Sequence, residues 1–173
     1  MRVAVVGHVE WVEFAVVERV PEPGEIVHAS EVFQEPAGGG GVAAVQLAKL
    51  AGASTFFTAF GDDEVGHRSE RRLSELGPDV RAIFRQEPQR RGFVHLDGQG
   101  ERTITVLGPR LGPRGDDQLP WELLDETDGV YLTAGDAEAI RHARRARALV
   151  ASARALPTLS GSGVELDVLV ASG

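Results

Sequence analysis

Apolar residues fall into runs of two kinds along the chain. Arg2–Gly7, Ser54–Phe60 and Gly129–Thr133 are short and nearly unbroken, the pattern of strands buried on both faces of a parallel sheet. Trp11–Val20 and Glu25–Phe33 mix apolar with charged positions around Pro21-Glu22-Pro23-Gly24, which predicts two half-exposed strands joined by a turn, with Pro36 stopping the second. Arg81–Arg85, Gly92–Leu96 and Arg102–Leu107 are further short strands, the last two linked through Asp97-Gly98-Gln99-Gly100. Helical runs cover Val42–Ala51, closed by Gly52, and Glu64–Leu76, closed by Gly77; a third is predicted from Asp136 to about Val150. Residues 108–120 predict a loop, and Arg154–Thr158 and Asp167–Val170 two last strands.

Strands alternating with helices imply a parallel sheet covered by helices on its faces. The polar-faced segments at 11–34 and 91–107 do not suit the inside of such a sheet, so a small second sheet is expected, within a single domain spanning 1–173. The length, 173 residues with 42% apolar content, supports one domain with its own core. Cysteine is absent, which excludes disulfides, thiolate metal sites and a cysteine nucleophile. No run approaches a membrane span and none reads as a signal peptide, so a cytoplasmic protein that binds no membrane is expected. The net charge of −8 argues against a nucleic-acid partner. Lys49 is the sole lysine and no Gly-Lys pair exists, which removes a P-loop. The arginines between Arg141 and Arg154 are expected on the solvated face of one helix.

Gly38-Gly39-Gly40-Gly41 precedes the Ala-rich helix and has three readings. It forms a turn or a close helix–strand contact; or it presents backbone N–H groups to a ligand at a helix start; or Gly38, Gly40 and Ala43, with Asp62 and Asp63 downstream, form a dinucleotide fingerprint of Rossmann type binding NAD. The charged, proline-stopped segment before the run is unlike the buried strand such a fingerprint follows.

Taken in order, Pro23-Gly24-Glu25, the glycine run with its helix, and Gly61-Asp62-Asp63-Glu64-Val65-Gly66 resemble the amino-terminal half of the PfkB-type, ribokinase-like carbohydrate kinases. The resemblance implies a three-layer α/β/α sandwich with a mostly parallel sheet and a small β-sheet lid. It implies transfer of the ATP γ-phosphoryl group to a hydroxyl of a sugar or nucleoside with Mg²⁺, and possible homodimerisation through the lid. The glycines Gly38, Gly39, Gly40 and Gly41 would line the sugar site. The usual Asn-x-Asp pair is replaced, with Glu10 and Val12 at its positions and Glu13 the nearest further carboxylate, and Ala43 stands where an asparagine is usual. The ATP-binding part and its catalytic aspartate are expected beyond Gly173, so this chain is expected to hold the substrate half and to be inactive alone. A non-catalytic sugar-binding or regulatory module of the same fold is the alternative.

Thr133-Ala134-Gly135-Asp136 imitates the family's catalytic motif at the wrong place, so Asp136 is either a base or a helix cap. His8, at the carboxyl end of the first strand, is a candidate ligand contact; the five histidines show no metal-ligand spacing. Arg90, Arg91 and Arg102 are either anion contacts or ordinary surface residues of a lid strand.

Overall fold

The computed structural model describes residues 1–171. Its main sheet contains β1 (Val3–Val6), β4 (Thr55–Gly61), β5 (Asp79–Arg85), β8 (Gly129–Leu132), β9 (Leu149–Ser152) and β10 (Val168–Val170), in the order β10-β9-β8-β1-β4-β5. All of its pairings are parallel. A second, mixed sheet has the order β3-β2-β6-β7, built from β2 (Glu10–Val16), β3 (Glu31–Ala37), β6 (Arg91–Leu96) and β7 (Arg102–Leu107). The two segments expected to stand apart as a lid thus form one sheet.

Alternation along β1 divides the core. Ala4 and Val6 face a cluster with Phe57, Trp121, Leu124, Leu132 and Ile140, covered by a 3-10 turn at Trp121–Glu126, by α3 (Ala137–Ala143) and by α4 (Leu156–Ser162). Val5 faces the other way, toward Ala44, Phe56, Phe60 and Leu73 beneath α1 (Gly38–Ala51) and α2 (Glu64–Glu75). Helices therefore lie on both faces, giving the three layers expected. Phe57, Trp121 and His142 stack in sequence, with centroids 5.2 and 4.8 Å apart. Alpha1 and α2 cover β1, β4 and β5, whereas Tyr131, Val150 and Val170 of β8–β10 line an open, apolar groove beside α1.

Several local expectations are corrected. Pro36 does not end its strand, which runs on to Ala37; β3 is an edge strand, where a missing N–H costs no ladder bond. That strand begins at Glu31, not Glu25. The strand expected at Arg81–Arg85 is present as β5 of the main sheet but starts earlier, at Asp79. The helix expected to reach Val150 stops at Ala143, because Leu149 and Ala151 alternate inward as β9 against β8. The arginines from Arg141 to Arg154 are consequently spread over α3, the turn after it and the 3-10 turn at Ala153–Ala155 rather than one helix face. Arg154–Thr158 is no strand: Pro157 sits in the first turn of α4, a position that suits its fixed φ, and the same helix takes in Ser160-Gly161-Ser162.

Candidate functional site

The strand order reverses direction of chain progress between β1 and β8, and ligands of open α/β sheets gather at the carboxyl ends of strands at such a point. His8 follows β1 there, and Thr133 follows β8. Both are buried, at 6% and 3% exposure, and His8 Nδ1 and Thr133 Oγ1 have no hydrogen-bond partner among the described residues. Buried polar atoms are nearly always paired, so two orphans at one switch point mark it out.

Alpha1 brings its amino terminus to the same place. The glycines are not a bend ahead of the helix but its first turn. Gly38 takes φ +78°, a left-handed value that favours glycine. A Cβ on Gly40 would stand 2.7 Å from His8 O and 2.8 Å from His8 N, so only glycine lets α1 approach the chain leaving β1. Gly40 N and Gly41 N both donate to His8 O, at 3.2 and 3.3 Å. Half of the run's N–H groups are therefore taken up by packing against His8, so of the four glycines expected to line the sugar site only Gly38 and Gly39 keep theirs for a ligand. Gly39 is exposed, with His8 Cε1 and the Thr133 methyl 3.7 and 3.5 Å from where its Cβ would be. No side chain caps this helix: the N-cap is Ala37 and the first turn has no acid. Ala43, one turn on, lines the adjoining apolar groove.

Glu10 lies across Gly38. Its Oε1 accepts from Arg90 Nε at 2.7 Å and stands 3.5 Å from His8 Nε2, with both side chains of the ion pair largely buried. His8 first, then Arg90, hold the Glu10 carboxyl below the ordinary carboxylate range against the opposing cost of burial. Of the two, Arg90 is at hydrogen-bond distance. Glu13 does not join this group; it sits on the other lid face, accepting from Gln34 Nε2 at 2.6 Å in a hollow with Trp11, Arg68 and Phe93. Val12 is buried.

Three residues important to the site carried weak sequence signals. Gln89 lay in a stretch with no pattern, yet it is buried: its Oε1 accepts from Gly61 N at 3.0 Å and its Nε2 donates to Val9 O at 3.0 Å. Arg90 read as a surface residue or anion contact, yet it pairs with Glu10 and reaches Gly108 O. Arg91 and Arg102 are exposed, as a surface reading expects. Thr133 was visible only as the end of a buried strand and the first residue of the motif closing on Asp136.

The Gly-Asp-Asp-Glu-Val-Gly motif is structural. Asp63 caps α2 by accepting from Gly66 N at 2.7 Å, and its second oxygen accepts from Gln89 N at 2.9 Å. A Cβ on Gly66 would fall 1.9 Å from Gly61 O. Asp136 likewise caps α3: its Oδ1 accepts from Ala139 N at 2.8 Å and from Gly115 N at 3.0 Å, fastening the 108–120 loop. The dinucleotide reading fails on topology, because the glycine run follows an antiparallel lid strand rather than a strand of the parallel sheet. Among the described residues no group of three or more acids or histidines is placed to hold a metal ion. No helix among them is long and apolar enough to cross a membrane.

Comparison with known proteins agrees with this geometry. A fructokinase of Vibrio alginolyticus is 33% identical over 95 residues, which are 54% of this chain and 29% of that protein. The solved ribokinase of Thermotoga maritima superposes with a TM-score of 0.70 at 21% identity, covering 99% of this chain and 59% of that one. The Arabidopsis thaliana ribokinase, solved with ribose and ATP, gives 0.66 at 20% identity over 98% of this chain and 59% of its own. The chain thus spans about 60% of the solved ribokinase chains it matches. The model of the pfkB family of carbohydrate kinases matches residues 1–156, and on that match the chain, with its ribokinase-like fold, belongs to that family.

Proposed function

We propose that the chain carries the sugar-binding half of a carbohydrate kinase, which places a sugar or nucleoside hydroxyl for phosphorylation by ATP. The observation that supports this reading best is the meeting of the open Gly38 and Gly39 N–H groups with the unpartnered atoms His8 Nδ1 and Thr133 Oγ1 at the root of the lid. Backbone N–H groups at a helix start suit hydroxyl and anionic oxygens, and a lid that excludes water strengthens every such contact. Phosphoryl transfer needs little more from the acceptor side than this positioning.

ATP is the phosphoryl donor in this reading, supported by the ribokinase solved with ribose and ATP, and Mg²⁺ accompanies it. The substrate departs from ribose in its contacts, because Val12 is apolar and Glu10 is already paired with Arg90.

Isothermal titration with D-fructose, D-ribose and adenosine, with ATP consumption followed in parallel, tests the proposal. Saturable binding of at least one compound is expected; no binding of any of the three overturns it. Glu10 and Val12 also favour a second reading, a binding module without phosphotransfer. Turnover by the protein in its complete form excludes that reading, and binding without turnover supports it.

A further inference from the structure

The pairing of Glu10 with Arg90 leaves a question about the uncapped end of α1. That end has two open N–H groups, a partial positive charge, and no side-chain acceptor of its own. Glu10 lies against it, with its Cγ 3.3 Å from the place of a Gly38 Cβ. The carboxylate is instead drawn to Arg90, whose Nε stands 2.7 Å from Oε1 and which is itself braced by Gly108 O at 3.4 Å. His8 Nε2 stands 3.5 Å from the same oxygen, at the outer edge of hydrogen-bond reach. The Glu10 side chain is only 13% exposed, so a charge released there has little water to turn to and takes the nearest donors.

We propose that Arg90 is a positioning residue that holds the Glu10 carboxylate off the first turn of α1, keeping Gly38 and Gly39 N–H open to the ligand. Without it, Glu10 caps the helix and competes for the site. The proposal rests on the reading of that turn as the sugar's cradle, and it adds a residue of the lid to the machinery that sets affinity.

The test compares the wild-type chain with Arg90→Ala and Arg90→Ala/Glu10→Ala. Two readouts are taken: the amide resonances of Gly38 and Gly39 without ligand, and affinity for D-fructose and D-ribose by calorimetry. In Arg90→Ala both amide protons move downfield, as expected when a carboxylate caps them, and affinity falls about tenfold, the upper range of a charge at a helix end. In the double variant the amide shifts revert and most of the affinity returns. Arg90→Lys keeps a cation beside Glu10 and stays near wild type. If Arg90 were only a structural tie of the lid, the double variant would lose as much affinity as the single one, with the two amides unmoved; either result overturns the proposal. Should Arg90→Ala not fold, Arg90→Gln, neutral but long enough to reach Gly108 O, carries the same comparison. If the wild-type chain binds neither sugar, the functional reading is what fails, and the amide shifts still decide the role of Arg90.

Discussion

Two glycines in this chain do opposite things, and a methyl group distinguishes them. At Gly40 the added Cβ meets the backbone of His8 and Gly7 at 2.7–2.9 Å, and backbone cannot step aside. Gly40→Ala should lower unfolding free energy by about 3 kcal/mol, the upper range of overpacking, in urea denaturation. At Gly161, in α4, nothing lies within 4 Å, so Gly161→Ala should be neutral or gain about 0.5 kcal/mol from a stiffer unfolded chain. Glu10 gives a second prediction at this scale. Its carboxyl is held below the ordinary value of 4.5 in the folded chain, so its contribution is complete above that pH and fades as pH falls through the folded value. The urea midpoint of the wild-type chain should therefore fall more steeply between pH 5 and about pH 3 than that of Glu10→Gln. Equal slopes would show that the ion pair adds nothing to stability.

Between elements, one buried side chain joins the lid to the sheet. Gln89 bonds to the end of β4 through Gly61 and to the exit of β1 through Val9, while its own N–H is held by the α2 cap Asp63. Gln89→Leu keeps the volume but leaves Gly61 N and Val9 O buried and unpaired, at about 1–3 kcal/mol each. Hydrogen exchange should speed up in β2 and β6 before β8 or β9; uniform acceleration would argue that the lid has no separate anchor. Strands and helices with clean periodicity were legible in the sequence, as β1, β4 and α2 illustrate. What was not legible depended on partners remote in the chain. Leu149–Ala151 looked like helix until β8 supplied its ladder, and Pro36 looked like a stop because an edge position has no local signature. The site was half legible: His8 and the glycine run follow from their place after a strand and before a helix. The burial of Gln89 and Arg90, and the use of Gly40 and Gly41 for packing, are set by residues some 30 to 80 positions away.

For the molecule as a whole, two layers of helices fix the sheet while the lid stands on a few crossings. Every residue of β7 is exposed, and β10 is exposed along its length, so both edges should exchange amides early, with β1 and β4 last. In our proposal the ends of β1 and β8, and the open turn of α1, are the place where a ligand meets both the lid and the sheet. Amide-shift mapping during titration with D-fructose and D-ribose tests this most directly. Saturable shifts centred on His8, Gly38, Gly39 and Thr133, fading toward β10, are the expected result. Shifts centred instead on the Tyr131–Val150 groove or on the Trp11–Arg68 hollow, or none with either sugar, would contradict it.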